Sequence, residues 1–410
     1  MTHQQSKSGP RSHRVSKPAS TASSPQLAWL FISFLLVAAA ARPASAQTLT
    51  VLHSFAGATA DGALPYGNLL LDANGNLYGT TYHGGSRHRG TVFELTSTGA
   101  YQVLYSFGGK IDGANPLGTL AQDSEGNLYG VAFDGGVGHY GTVFKLAPGG
   151  VLTVLHSFTG APDGGLSLGG LVLDAQGNVY GTTIEGGPTS SACPIGCGTV
   201  FQVSPTGVEK LVYSFQGGTA DGDYPLSGLV IDSQGNLFGT TNQGGAQDGG
   251  VVFEVSADGA EKILHDFQAV GDGALPGSNL IRDPQGNFYG TTESGGASLL
   301  GTVFEITAGG VESVLYSFSS QYDAYEPAYG VVRDPQGNLY GASRNGGAFN
   351  RGAIFKLAPD GTETLLHSFD GLAGGRYPGA GLVLDAQGNL YGTTVRGGAF
   401  NHGTIFKLAP

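Results

Sequence analysis

The decapeptide Asp385-Ala-Gln-Gly-Asn-Leu-Tyr-Gly-Thr-Thr394 decides the fold, because close copies of it occur seven times along the 410-residue chain. Successive copies start 51 residues apart, except for one step of 58 residues. A period this regular predicts one supersecondary unit repeated seven times. The other six copies begin at Asp72, Asp123, Asp174, Asp232, Asp283 and Asp334.

Each unit contains four short segments rich in β-branched and aromatic residues, which in the third unit start at residues 170, 178, 198 and 211. Glycine-bearing links of hairpin length join the first segment to the second and the third to the fourth. Residues 47–410 show no sustained helical period, so the domain is predicted to be all-β. The predicted fold is a seven-bladed β-propeller of four-stranded antiparallel blades, and an open β-solenoid is the alternative.

The first and last segments of the repeat region favour a closed ring. Residues 49–55 form a fourth segment, and residues 403–408 form a third segment. The N-terminal strand is therefore predicted to join the last blade, which leaves no long open edge. We call the loops between the second and third segments of a unit the two–three loops, and those from a fourth segment to the next unit the four–one loops. In such a ring both sets of loops share one face, and we expect ligand sites on these variable loops.

Residues 1–46 have the features of a cleavable signal peptide. A basic stretch without acidic residues precedes the apolar run from Leu27 to Ala41, and Ala44-Ser45-Ala46 forms a small-residue cleavage motif. The sequence predicts cleavage after Ala46 and a mature domain at 47–410. It predicts a bacterial protein that is secreted, periplasmic or on the cell surface, and an uncleaved membrane anchor is the alternative.

The mature domain is strongly acidic. Residues 1–46 hold five of the 19 Lys and Arg and none of the 31 Asp and Glu, which leaves 14 basic and 31 acidic residues. Nucleic acid is excluded as a partner because its phosphates need a basic surface. The sequence predicts no membrane span after cleavage, a monomer, and an extracellular polysaccharide or protein as partner.

The repeat unit resembles two known families. The Gly-Gly pair after an aromatic strand and the period make it distantly kelch-like, although the kelch tryptophan is missing. It more closely resembles the bacterial GloVer (Gloeo-Verruco) tandem-repeat proteins, whose unit G-N-L-Y-G-T-T-x-x-G-G-x4-G-T-V-F-x-L is similar to residues 235–255. This resemblance covers residues 47–410 and implies an exported repeat protein without an assigned activity. Members often carry an anchoring tail, and the lack of one in this sequence leaves surface attachment open.

Several recurring or paired residues are interpreted structurally. The Asp of the repeated turn is predicted to bind its own turn backbone, because one turn offers too few oxygens for calcium. Cys193 and Cys197 lie in the only insertion and are predicted to form a disulfide, whereas a metal site would need two further ligands. No metal or other cofactor is predicted. Packing between blades is predicted for the alternating residues of the fourth segments, His53, Tyr105, His156, Tyr213, His265, Tyr316 and His367.

The variable loops differ in charge around the ring. The variable loops of units six, seven and one carry six of the fourteen basic residues of the mature domain, whereas units two to five carry acidic residues in their two–three loops. Arginines beside aromatic residues suit a carboxylate- or sulfate-bearing polysaccharide, and free drift of exposed loops is the alternative. The predicted ligand-binding residues are His83, Arg87, Arg89, Tyr322, Tyr325, Arg344, Arg351, Arg396 and His402.

These features predict a secreted, non-catalytic propeller that binds a polymer, with an anionic polysaccharide favoured, or a protein. One alternative is a polysaccharide lyase or glycoside hydrolase, in which Glu326 is a candidate carboxylate without an identified second member of the pair. Another alternative is a structural repeat protein of the cell envelope. The sequence assigns no catalytic residue.

Overall fold

The computed structural model describes residues 47–191 and 193–410, so the predicted signal peptide and its cleavage after Ala46 lie outside the described residues. The regular structure of the described part consists of short β-strands and one turn of 3-10 helix, Gly218–Ala220. In chain order the strands are β1 (Leu49–Ser54), β2 (Gly62–Ala63), β3 (Leu70–Leu71), β4 (Leu77–Thr81), β5 (His83–Gly84), β6 (Thr91–Leu95), β7 (Tyr101–Ser106), β8 (Ala114–Pro116), β9 (Ala121–Gln122), β10 (Leu128–Asp134), β11 (Thr142–Leu146), β12 (Leu152–Ser157), β13 (Val172–Leu173), β14 (Val179–Thr183), β15 (Thr199–Val203), β16 (Glu209–Ser214), β17 (Gly222–Asp223), β18 (Val230–Ile231), β19 (Leu237–Thr241), β20 (Gln243–Gly244), β21 (Val251–Val255), β22 (Glu261–Asp266), β23 (Ile281–Arg282), β24 (Phe288–Thr292), β25 (Thr302–Ile306), β26 (Glu312–Ser317), β27 (Val331–Arg333), β28 (Leu339–Ser343), β29 (Ala353–Leu357), β30 (Glu363–Ser368), β31 (Arg376–Pro378), β32 (Val383–Leu384), β33 (Leu390–Arg396) and β34 (Thr404–Leu408).

These strands form seven four-stranded antiparallel blades, each running from a short inner strand to an outer strand, as in the order β3-β4-β6-β7. The last blade is completed by the start of the chain, because β1 pairs with β34 from Leu49 opposite Leu408 to Ser54 opposite Thr404. The backbone N–H of Gly381 also donates to Asn68 Oδ1 at 2.6 Å, which joins the last blade to the first. The predicted seven-bladed propeller, closed by its N-terminal strand, is confirmed.

The glycine of the repeated Leu-Tyr-Gly stretch is required by packing. A Cβ atom added to Gly341 would lie 2.4 Å from Cζ of Phe355, the residue opposite it on the next strand. Phe355 in turn packs edge to face on Phe318, with ring centroids 5.2 Å apart. The glycine therefore provides the space in which the core phenylalanine of its blade packs.

Replacing Gly341 by Ala is expected to lower the free energy of unfolding by about 1–3 kcal/mol, because the added methyl group must displace the Phe355 ring. Gly149→Ala is the control, since no atom lies within 4 Å of a Cβ atom added at Gly149. Its effect should stay within about 0.5 kcal/mol. Denaturant unfolding of both variants measures the difference, and equal stabilities would contradict this packing argument.

The Asp of the repeated decapeptide binds its own hairpin. Asp385 Oδ1 accepts from the backbone N–H groups of Gln387 at 2.9 Å and Asn389 at 2.8 Å. Its Oδ2 accepts from Asn389 Nδ2 at 2.6 Å and from the Tyr391 hydroxyl at 3.0 Å. Burial acts to raise the pKa of Asp385, but these hydrogen bonds outweigh it and the pKa is lowered. The structural interpretation of the motif is confirmed, because the turn itself uses both carboxylate oxygens.

The alternating His and Tyr side chains of the outer strands mostly bind the Asp of the loop that leaves their blade. His156 Nε2 lies 3.1 Å from Asp163 Oδ1, and the Tyr213 hydroxyl donates to Asp221 Oδ2 at 2.9 Å. At the junction of the last and first blades, the His53 ring also stacks on Tyr101 with centroids 3.7 Å apart. These contacts anchor the loops at the seams between blades, as the sequence predicts.

Candidate functional site

An open cavity of about 690 Å³ lies at the centre of the ring on the loop face. We call it the axial funnel, and it is lined by the residues that lead into the inner strands of all seven blades. In four blades the axial funnel is also lined by the residue that directly follows the Thr-Thr pair, or that follows the two residues equivalent to this pair. These four side chains are Tyr82, Phe133, Glu293 and Arg344.

The position that follows the Thr-Thr pair differs in every blade, although the residues around it are nearly constant. In five blades it directly follows the second strand, and in β10 and β33 it is the penultimate residue of the strand. The seven residues combine aromatic, aliphatic, amide, acidic and basic chemistry. In chain order they are Tyr82, Phe133, Ile184, Asn242, Glu293, Arg344 and Val395.

Tyr329 narrows the centre of the ring. It lines both the axial funnel and a second cavity of about 230 Å³ between the inner strands. The other six blades have only small residues at the equivalent position, so the large side chain belongs to the sixth blade alone. These small residues are Gly67, Gly118, Gly169, Ser227, Ser278 and Ala380.

Charged groups of the fifth and sixth blades meet on one wall of the axial funnel. Burial and then the nearby Glu326 raise the pKa of Glu293, while Arg344 opposes this shift. Asn345 Nδ2 donates a hydrogen bond to Glu326 Oε2. Burial is the chief cause that raises the pKa of Tyr329, and the nearby Arg344 opposes this shift. The wall therefore presents two carboxyl groups, one guanidinium group and one phenol to the same space.

The loops around the axial funnel are held by hydrogen bonds between neighbouring blades. Glu326 has a positive φ of 55°, and its backbone N–H donates to the carbonyl oxygen of Leu300 in the previous blade at 3.0 Å. Equivalent residues of the other six blades share this left-handed backbone conformation, which is uncommon for residues other than glycine. They are Leu64, Asn115, Leu166, Tyr224, Leu275 and Tyr377.

The nine predicted ligand-binding residues are spread over the loop face. Of these nine, Arg344 is the one that lines the axial funnel. Three others pack on glycines of neighbouring loops, namely Arg89 on Gly109, Arg351 on Gly371 and His402 on Gly57. Whether these residues contact a ligand stays a prediction.

The remaining predicted residues lie around the outside of the axial funnel. The Tyr325 hydroxyl donates to Asn350 Oδ1 at 2.9 Å, and the His83 ring lies 4.6 Å from the Tyr82 ring. Arg87, Arg396 and Tyr322 are exposed. Sequence reasoning placed Tyr329 and Glu293 in the variable loops without assigning them to a cavity, and it missed Tyr66, Tyr82 and Phe133 as lining residues. Alignment of the seven copies position by position would have found most of them.

Exposed apolar side chains also concentrate on the loop face. Among residues 47–191 and 193–410, ten of the fourteen exposed large hydrophobic residues lie in two–three or four–one loops. Exposed apolar groups gathered on one face are typical of surfaces that contact a partner. The ten residues are Ile111, Val137, Tyr140, Ile195, Val270, Leu299, Tyr322, Phe349, Leu372 and Phe400.

Comparison with known proteins gives a family match and matches of fold. The Gloeobacter/Verrucomicrobia repeat family matches residues 41–194 and 287–410. No curated protein sequence matches the chain. Among the described residues, no helix has the length and apolar character needed to cross a membrane.

Among solved structures, a streptogramin B lyase matches with a TM-score of 0.59 and 14% identity over 88% of this chain and 97% of the lyase. The extracellular domain of a proposed hybrid two-component system of B. thetaiotaomicron matches with a TM-score of 0.57 and 10% identity, over 88% and 39% of the two chains. A fungal alcohol oxidase of the AA5 family matches with a TM-score of 0.54 and 12% identity, over 88% and 76%. These similarities show a common fold.

Proposed function

The chain belongs to the Gloeobacter/Verrucomicrobia repeat family, and we propose that it is an exported propeller that binds an anionic polysaccharide through the axial funnel and its surrounding loops. The observation that carries this proposal is the position after the Thr-Thr pair, which differs in all seven blades and lines one shared cavity in four of them. Residues that pack the blades are repeated, so variation at this position favours a role in ligand contact.

The chemistry of the axial funnel suits a sugar. Its volume of about 690 Å³ falls within the range of small-molecule sites, roughly 300–1,000 Å³. The Tyr66 and Tyr82 rings pack edge to face, 5.9 Å apart, and offer apolar surfaces with polar tips. The carboxyl groups of Glu293 and Glu326 can accept hydrogen bonds from sugar hydroxyl groups.

Arg344 supports a carboxylate- or sulfate-bearing ligand. Within residues 47–191 and 193–410, the ion pairs are all between histidine and aspartate, so the exposed Arg344 guanidinium forms no ion pair there. Burial of Glu293 favours its neutral form, which weakens its competition for the guanidinium group. A planar guanidinium group can bind a ligand carboxylate through two parallel hydrogen bonds.

The loops outside the axial funnel extend this surface for a longer polymer. Arg87 on the first blade and Arg396 on the last blade are exposed, and these blades are neighbours in the closed ring. Exposed charges act weakly and lose strength as salt increases. We therefore assign these two arginines to a salt-sensitive contribution along the polymer, and the axial funnel to the tighter contact with a few sugar units.

The expected location follows from the chain's N-terminal sequence and its acidic domain. The basic stretch, the apolar run and the Ala44-Ser45-Ala46 motif support export, and the 14 basic against 31 acidic residues after position 46 argue against a nucleic-acid partner. An extracellular polysaccharide would be accessible to such a protein.

The mature protein is expected to be retained on immobilised polygalacturonate and released by increasing NaCl, but not to be retained on the fully methyl-esterified polymer. The double variant Arg87→Ser/Arg396→Ser should elute at lower NaCl because two contacts with the polymer are lost. Lys210→Ser/Lys262→Ser is the control of equal charge, since these lysines lie on the outer strands β16 and β22. Equal elution of the two double variants would contradict the assigned surface.

A second candidate function is glycoside hydrolysis, because the structure places another carboxyl group, Glu293, near Glu326. Glycosidases use one protonated and one ionised carboxyl group, and burial raises the pKa of Glu293 as an acid would require. Measurement of new reducing ends on the same polymers tests this candidate. Release that disappears in both Glu293→Gln and Glu326→Gln would establish hydrolysis, and no release from any polymer would leave binding alone.

A further inference from the structure

The insertion in the third unit brings two cysteines against an aspartate of the next loop. Cys193 and Cys197 are buried and bonded to each other, with Cα atoms 5.3 Å apart. A carboxylate oxygen of Asp223 and the two sulfur atoms all lie within 4.8 Å of one another. Gly217 covers this group, because a Cβ atom added there would lie 2.5 Å from Cys197 Sγ and 3.0 Å from Cys193 Sγ.

One carboxylate oxygen of the partly buried Asp223 lacks a hydrogen-bond partner in the described part of the chain. Its Oδ1 atom is buried and accepts no hydrogen bond from the described residues. A buried carboxylate oxygen without a donor or cation is costly, so this position favours a ligand that supplies positive charge.

The repeat itself shows that this arrangement is local. The two cysteines depart from the other blades by a seven-residue insertion, which accounts for the step of 58 instead of 51 residues. Asp223 departs independently, because the equivalent residue carries no carboxylate in the other six blades. Two separate departures from the repeat therefore meet at one point. The equivalent residues are Ala63, Ala114, Gly165, Ala274, Tyr325 and Arg376.

We propose that reduction of the Cys193–Cys197 disulfide opens a site for a thiophilic divalent cation of the zinc class, with Cys193, Cys197 and Asp223 as its protein ligands. A thiol or phosphine reductant supplies two electrons, which break the S–S bond, and two protons from solvent complete the two thiols. Binding of the cation releases these two protons, because thiolates are the ligands. Three protein ligands and one water molecule complete the tetrahedral arrangement that zinc prefers.

The two redox states differ in what they offer a cation. In the oxidised protein the sulfur atoms are bonded to each other, so only the Asp223 carboxylate remains as a ligand. In the reduced protein two thiolates and one carboxylate converge on the same space. The insertion therefore acts as a site that only the reduced protein can load.

Co²⁺ is the probe, because cobalt bound by thiolates has charge-transfer absorption in the near ultraviolet. The full-length mature protein, reduced with a phosphine, should bind one equivalent of Co²⁺ with this absorption, and the oxidised protein should show none. Zn²⁺ added in equal amount should displace Co²⁺ and abolish the absorption. Absence of the absorption from the reduced protein would overturn the proposal.

Asp223→Asn should weaken Co²⁺ binding at least tenfold, because it removes one charged ligand and leaves both thiols. Asp258→Asn is the control, since Asp258 lies in an exposed hairpin. Thermal unfolding of the oxidised variants shows whether each one folds, which is independent of metal binding. Equal Co²⁺ affinity of the folded Asp223→Asn variant and wild type would overturn the assignment of Asp223 as a ligand.

Discussion

The triple variant Glu261→Gln/Glu312→Gln/Glu363→Gln is expected to be more stable than wild type at pH 8. Each glutamate begins an outer strand and buries its Oε1 atom without a hydrogen-bond partner in the described structure. Burial raises the pKa of each glutamate to about 7, and an aspartate in the four–one loop that leads into the same blade adds to the shift. Glutamine keeps the shape of the side chain and removes the charge.

The sign of the pH dependence follows from the raised pKa of these glutamates. The folded protein holds their protons up to about pH 7, whereas the ordinary pKa is 4.5. Stability from the protonated carboxyl groups is therefore fully present below pH 4.5 and is lost as the pH rises to about 7. After allowance for solvent screening, we expect about 1 kcal/mol per glutamate, or about 3 kcal/mol for the triple variant at pH 8.

Unfolding in denaturant between pH 4.5 and pH 8.5 measures this effect. Wild type should lose stability across this range, and the curve of the triple variant should be flatter over the same interval. Glu125→Gln is the control, because this glutamate is exposed in a hairpin. Parallel curves for wild type and the triple variant would show that the seams between blades do not bury these charges.

The sequence predicts the fold well because the same information occurs in it seven times. A single blade gives weak strand signals, but the glycine opposite Phe355 and the Asp385 turn recur at the same places in every unit. The closure by residues 49–54 is also visible, because these residues match the outer strand of the repeat and residues 404–408 match the strand beside it. Repetition thus removes the ambiguity that short strands usually leave.

The candidate site could be predicted only in part. Counting charges along the sequence identified the basic loops and Arg344. It could not distinguish loop residues that line the axial funnel from loop residues that lie outside it. Arg351 shows the difficulty, because its guanidinium group binds the carbonyl oxygen of Asp370 and packs on Gly371. The position of Tyr329 between the two central cavities and the proximity of Glu293 to Glu326 depend on how the blades are arranged around the axis. The order of residues along the sequence does not reveal this arrangement.

Loss of the Arg344 guanidinium group is expected to remove most of the affinity for a short uronate ligand. Arg344→Leu keeps part of the side-chain volume but cannot form the paired hydrogen bonds to a carboxylate. Hydrogen bonds to charged groups contribute about 1.5–3 kcal/mol, which corresponds to at least a tenfold weaker affinity. Because Arg344 is exposed and forms no ion pair in the described residues, the variant should fold with nearly unchanged stability.

Calorimetric titration with tri-galacturonate tests most directly whether the axial funnel is the binding site. Lys262→Leu is the matched control, because it removes one positive charge from the exposed outer strand β22. We predict that wild type and Lys262→Leu bind with equal affinity and that Arg344→Leu binds at least ten times more weakly. Equal affinity of a folded Arg344→Leu variant, or no binding of tri-galacturonate by wild type, would contradict the account.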